Sequence, residues 1–147
     1  QFETPRTETV EVKPLEAGGG ELEEARVVVV GGRGIDKKED FKILESLCYT
    51  LGGQVGYTRP LAEDRKWFKG DWIGLSGIKI KPALYIGCGV SGVIQHVAGI
   101  RDSQVIVAIN KDAQAPIFEM ADYIVVGDLY EIVPALEAAL KKMLAQG

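Results

Sequence analysis

The feature that most constrains this chain is a series of short apolar runs, rich in β-branched residues, each ending in a glycine-rich or polar loop. Residues 26–30 read Arg-Val-Val-Val-Val and stop at Gly31-Gly32-Arg33-Gly34. Residues 54–58 read as a short second strand and residues 83–86, 104–109 and 123–126 as further strands, and Thr58-Arg59, Gly87-Cys88-Gly89, Asn110-Lys111-Asp112 and Gly127-Asp128 stand at their ends. Valine and isoleucine runs without polar alternation suit strands buried on both faces, as parallel sheets require. Between the runs lie amphipathic stretches. Phe41, Leu44, Leu47, Cys48 and Leu51 recur at helical spacing before Gly52-Gly53, and Ile132, Leu136, Leu140 and Leu144 line one face of a closing helix. Strands alternating with helices predict an α/β architecture: a doubly wound parallel sheet of about five strands with helices on both faces.

In such Rossmann-like sheets ligands bind outside the carboxyl ends of the strands, near the reversal in strand order. The loops with unusual glycine and polar content are the ones that follow the strands. Gly87-Cys88-Gly89-Val90-Ser91-Gly92 is a literal G-x-G-x-x-G between a predicted strand and a helix expected over residues 91–98. Glycines in that context allow a tight turn and close approach to a diphosphate, with a helix N-terminus offering free N–H groups to the anion. The competing reading is that the glycines only let strand and helix pack closely. The motif follows the third strand, whereas a nicotinamide fingerprint belongs to the first. Residues 60–80 show no period and are expected to form a long loop, with a short strand near Trp72.

A chain of 147 residues with 46% apolar and 26% charged residues is one ordinary domain. A net charge of -4 excludes the basic surplus that a nucleic-acid partner requires. No run reaches the roughly 18 apolar residues of a membrane span, and the first residues given show no charged region followed by an apolar one, so secretion is not expected. Cys48, Cys88 and the single His96 have no metal-ligand spacing, so no metal is expected, and a reducing, cytoplasmic compartment is the expectation. Residues 1–24 lack a sustained apolar period and contain Gly18-Gly19-Gly20. They read as a linker or arm, with residues 25–147 as the folded domain and Thr9-Val10-Glu11-Val12 as a possible edge strand.

Single residues leave alternatives open. Arg33 is either a bidentate phosphate ligand or a solvated side chain beside a turn. Arg59 either stabilises a negatively charged ring or phosphate or makes a surface ion pair, and Pro60 holds its loop extended. Asn110 and Asp128 either hydrogen-bond a ribose or adenine, or cap the next helix. His96 alone favours a structural role. Cys88 has no adjacent base and reads as a small packing residue, and Trp67 and Trp72 read as loop packing or partner contacts.

Together these residues resemble one family, the FAD-binding domain of the electron transfer flavoprotein alpha subunit. The resemblance covers residues 25–140 and rests on Gly31-Gly32-Arg33-Gly34, Gly56-Tyr57-Thr58-Arg59, Leu84-Tyr85-Ile86 and the run Gly89-Val90-Ser91-Gly92-Val93-Ile94-Gln95-His96-Val97-Ala98-Gly99. Ile106-Val107-Ala108-Ile109-Asn110-Lys111-Asp112, Ala115-Pro116-Ile117-Phe118 and residues 121–129 complete it. It implies an FAD that carries electrons between dehydrogenases and a further acceptor without substrate turnover, and a beta subunit as partner. It also implies that residues 1–24 connect to a preceding domain. By the same resemblance Arg33 would meet the diphosphate, and Ser91, Gly92, Val93, Ile94, Gln95 and His96 would hold the diphosphate, ribityl chain and ring. Asn110, Asp128 and Leu129 would hold the adenosine end. Thr58, Ile73, Gly74, Leu75 and Ser76 would complete the site. Arg59, Ser76 and His96 would tune the flavin, with Arg59 and a protonated His96 favouring anionic reduced forms. One loop departs from the family: where Gly-Gln-Thr-Gly-Lys is usual, this chain has Gly74-Leu75-Ser76-Gly77-Ile78, which keeps a hydroxyl but loses the amide and the lysine. An NAD(P)-binding domain of a dehydrogenase or transhydrogenase is the alternative reading.

Overall fold

A computed structural model describes residues 19–146. Five strands, β1 (Val27–Gly31), β2 (Gln54–Tyr57), β3 (Leu84–Cys88), β4 (Val105–Asn110) and β5 (Tyr123–Val126), form one sheet in the order β2-β1-β3-β4-β5. Every pairing is parallel. The helices are α1 (Gly19–Glu24), α2 (Phe41–Leu51), α3 (Arg59–Glu63), α4 (Ile94–Val97) and α5 (Leu129–Gln146), with single 3₁₀ turns at Lys38–Asp40 and Pro116–Glu119. The fold is the doubly wound α/β class expected from the sequence.

Alternate residues of the central strands serve opposite faces, as the two-residue period of a strand dictates. Val29, Ile86 and Ile109 join Phe41, Leu44 and Leu47 of α2 and Val133 of α5 in one buried layer. Val28, Val30, Tyr85 and Ala108 face the other way, onto Leu22, Ile73, Ile100 and Ile117. Long helices thus cover one face, and short helices and loops cover the other. Gly52 ends α2 in the left-handed conformation (φ 72°), and the Gly53 N–H donates to the Cys48 carbonyl at 3.0 Å.

Several local expectations are corrected. Gly19–Glu24 is helical and Leu22 is buried, so the packed unit starts before residue 25. Thr9-Val10-Glu11-Val12 lies outside the described residues. The helix expected over residues 91–98 is only Ile94–Val97, because Val93 is extended and Gly92 has φ +90°. Pro60 sits in the first turn of α3 instead of extending a loop, where its missing N–H costs no hydrogen bond. The strand near Trp72 reduces to Ile73, bridged to Thr58 and Ile78. On α5 the fully buried residue is Val133, and Leu144 is 62% exposed. β5 is an edge strand whose Tyr123, Ile124 and Val126 stay exposed, so the sheet is uncovered there.

Leu44 is fully buried between α2 and the sheet. Leu44→Ala is expected to cost about 2–5 kcal/mol of stability, read as a lower urea midpoint with an unchanged slope.

Candidate functional site

The chain leaves β1 toward β2 on one side and returns past β1 to place β3 on the other. The loops after β1 and β3 therefore diverge above adjacent strand ends, at the position where open α/β sheets hold ligands. At the base of this crevice the two loops touch. The Gly32 N–H donates to the Cys88 carbonyl at 3.2 Å, and the Gly34 N–H donates to the Gly89 carbonyl at 3.0 Å. A β-carbon on Gly89 would stand 2.8 Å from the Gly34 Cα, and φ at Gly89 is +71°. A β-carbon on Gly92 would stand 2.5 Å from the Ile117 backbone nitrogen. Both fingerprint glycines therefore make room for the protein's own backbone, at the loop after β1 and at Ile117, and not for contact between β3 and the helix that follows it.

Above that base lies a cavity of about 420 Å³, within the roughly 300–1,000 Å³ of small-ligand sites. Arg33 comes from the loop after β1, Thr58 and Arg59 from the end of β2 and start of α3, and Ile73, Gly74, Leu75 and Ser76 from an arch in the long connection. Ser91, Gly92, Val93, Gln95 and His96 close it from the segment after β3. The arch is pinned at three places: the Ile73 N–H donates to the Tyr57 carbonyl, the Ile78 N–H to the Trp72 carbonyl, and the Leu75 N–H to the Gln95 carbonyl at 2.7 Å.

Four expected site residues do not line the cavity. Ile94 is 83% exposed. Asn110 donates from its amide to the Val90 carbonyl at 3.0 Å and accepts from the Asp112 N–H at 2.9 Å, so it ties the loop after β4 to the one after β3. Asp128 accepts the Tyr130 N–H at 2.9 Å and caps α5, the second of its two readings. Leu129 is buried, with its side chain against Gly89. Conversely, Pro60, Glu63, Asp64, Trp72 and Val90 line the cavity without having been singled out as ligand contacts. Glu63 had a legible signal, because it stands four residues after Arg59 on one helical face.

The charges of the cavity are already paired. Arg33 meets Asp64 at 2.8 Å, and Arg59 lies 3.8 Å from Glu63. Arg59 also stacks over the Trp72 ring at 5.3 Å. Arg65 donates to the Ile35 carbonyl and, at 2.9 Å, to the Arg33 carbonyl, which holds the backbone of the Arg33 loop. The Ser76 hydroxyl accepts the Trp72 indole N–H at 3.1 Å.

His96 is 4% exposed. Its Nδ1 stands 3.0 Å from the Ile73 carbonyl, which only accepts, so Nδ1 carries the proton. Its Nε2 then accepts from the Tyr85 hydroxyl at 2.8 Å. Burial lowers its pKa to about 4, against the smaller opposing pull of the Ile73 carbonyl. The imidazole is therefore neutral near pH 7 in this structure. Both cysteines are free and buried, and burial pushes both thiols up to about 12, which leaves Cys88 a packing residue. No helix among the described residues is long and apolar enough to cross a membrane.

Residues 21–101 match the model of the electron transfer flavoprotein FAD-binding domain. The chain belongs to that family. It is 42% identical over 145 residues to Protein FixB of Salmonella paratyphi A, covering 97% of this chain and 46% of the relative. It is 48% identical over 123 residues to Protein FixB of Escherichia coli O127:H6, covering 83% of this chain and 39% of the relative. The chain thus spans less than half the length of these relatives. Among solved structures, a Sir2 homologue mutant in complex with ADP ribose superposes with a TM-score of 0.55 at 13% identity, covering 88% of this chain and 97% of that one. That likeness is one of fold.

Folding around a neutral, buried His96 makes stability depend on pH. A histidine whose pKa falls from 6.5 to about 4 on folding contributes fully above pH 6.5 and loses its contribution as pH drops toward 4. Relative to His96→Gln, the wild-type chain is expected to lose about 2 kcal/mol between pH 7 and pH 5, measured by urea unfolding of both proteins at each pH. A constant difference between them would contradict the buried, neutral assignment.

Proposed function

We propose that this chain is the FAD-binding domain of an electron transfer flavoprotein alpha subunit, carrying electrons between dehydrogenases and a downstream acceptor. In this reading it works with a beta subunit and has no substrate turnover of its own. The observation that carries it is the convergence of Arg33, Arg59, Ser76 and the segment after β3 on one cavity at the reversal of strand order, in a member of this family.

The donor set suits an anionic, ring-bearing cofactor. Two guanidinium groups reach the cavity, and each offers a planar fork of donors to phosphate. The N–H of Gln95 opens the first turn of α4 and has no acceptor within that turn. The Ser76 and Ser91 hydroxyls add adaptable donors. When bound, FAD supplies reversible electron uptake, chemistry that belongs to the cofactor. Arg33 would hold the diphosphate, and Arg59 would favour negative charge on the ring through its fixed positive charge. Ser76 would donate a hydrogen bond, while Gly74 and Leu75 exclude water from one side. His96 would act through position: its neutral ring links Tyr85 of β3 to the Ile73 end of the arch. Leu75, Val93 and Ile94 are exposed apolar side chains at or beside the cavity, a surface that suits coverage by a partner.

The decisive experiment is reconstitution. The chain is expected to take up FAD in preference to NAD(P), seen as flavin absorbance that stays with the protein through gel filtration. A chain that stays colourless, or binds nicotinamide nucleotides more tightly in calorimetry, overturns the reading.

Asp64 neutralises Arg33 in the absence of ligand. Asp64→Asn is therefore expected to tighten FAD binding about two- to fivefold at low salt, the scale of an exposed ion pair, with the gain shrinking as salt rises. A weaker complex in a folded Asp64→Asn protein would show that Asp64 contacts the cofactor itself.

A further inference from the structure

The arch of residues 72–78 is built around one side chain that the flavin reading leaves without a role. Trp72 is half-buried and lines the cavity. Its indole N–H donates to the Ser76 hydroxyl at 3.1 Å, and the face of its ring carries the Arg59 guanidinium at 5.3 Å. Thus the edge of one ring holds a hydroxyl and its face holds a cation, both lining the cavity.

The seat of the indole is shaped for it. A β-carbon on Gly77 would stand 2.7 Å from the indole Cδ1 and 2.9 Å from Nε1, so glycine leaves the space into which the ring fits. The Gly77 N–H donates to the Gly74 carbonyl at 3.1 Å, and the Gly74 N–H to the Ile78 carbonyl at 3.0 Å, which closes the turn that carries Ser76.

The chemistry follows from the donor inventory. An indole N–H only donates, so Ser76 acts toward Trp72 as an acceptor, and its own single proton is left for another partner. Accepting a hydrogen bond also polarises a hydroxyl and strengthens the one it donates. Arg59 has an exposed side chain and a long ion pair to Glu63. Stacking on an indole face is its second restraint.

We propose that Trp72 is a positioning residue for the cofactor. Its N–H commits Ser76 to donating its proton to the ligand, and its ring face holds Arg59 against the same ligand. The proposal rests on the flavin reading above and goes beyond it by giving one aromatic side chain control over both groups.

The test uses the full chain in two states. Without cofactor, Ser76→Ala is expected to shift the Trp72 indole N–H resonance and speed its hydrogen exchange, leaving Trp67 unchanged as the internal control. An unmoved Trp72 resonance overturns the proposal. With FAD bound, Trp72→Phe keeps the ring face and loses the N–H. It should lower the midpoint potential of the bound flavin in the same direction as Ser76→Ala, and change nothing further in a Ser76→Ala background. Trp72→Leu should lower it more, and that increment should vanish in an Arg59→Ala background. Full FAD uptake with a wild-type potential in Trp72→Phe overturns the positioning role alone. Failure of the wild-type chain to bind FAD overturns the flavin reading and this role with it. If Trp72→Leu does not fold, Trp72→Phe and Ser76→Ala decide the outcome.

Discussion

The cavity depends on a contact between two backbones. Where the loops leave β1 and β3, Gly32 and Gly34 donate to the carbonyls of Cys88 and Gly89. A side chain has no room between them: a β-carbon on Gly34 would stand 2.7 Å from the Gly89 Cα. Such close approach brings the ends of neighbouring parallel strands together at the reversal in strand order, and the chains must then part above it. Glycine here serves the protein's own packing. The side chains that line the cavity stand among these glycines, Arg33 on one loop and Ser91 on the other.

A second tie sets the far wall. His96 joins β3 to the arch through Tyr85 and the Ile73 carbonyl, while the Leu75 N–H reaches the Gln95 carbonyl. The long connection after α3 is also held over the sheet by the buried side chains of Ile73 and Ile80. A neutral imidazole is suited to this task because it donates at one nitrogen and accepts at the other. Protonation would leave Nε2 with a proton facing a hydroxyl that must then turn round, in a site where burial already disfavours charge.

The parts legible in the sequence are those governed by local period. The strands announce themselves through β-branched runs, and α2 through Phe41, Leu44 and Leu47. Strand alternation is enough to locate the crevice, and the spaced motifs are enough to place the chain in its family. The parts that escaped are set by partners distant in the chain. Gly92 turns to φ +90° against Ile117, so the helix starts late, and nothing near Gly92 signals Ile117. The arch has no period because its bonds run to Tyr57 and Gln95. Asn110 shows the limit well: an amide after a strand suits either a ribose or a helix cap, and the bond it makes here, to the Val90 carbonyl, has no signal in the sequence.

Pairing within the cavity has a consequence for how an anion would be recognised. Arg33 and Arg59 are not bare charges waiting for phosphate, since Asp64 and Glu63 stand beside them. Exposed pairs of this kind are weak, so exchanging a carboxylate for a diphosphate costs little. The pairing also restrains the guanidinium groups before a ligand arrives, which lowers the entropy lost on binding. Arg65 adds to this by fixing the carbonyls of Arg33 and Ile35 while its guanidinium stacks on Trp67 at 4.8 Å. Each cavity arginine is thus held by something other than the ligand, Arg33 through its backbone and Arg59 through Trp72. Specificity in such a site comes from where the cations are held, and the aromatic rings of the long connection do much of the holding.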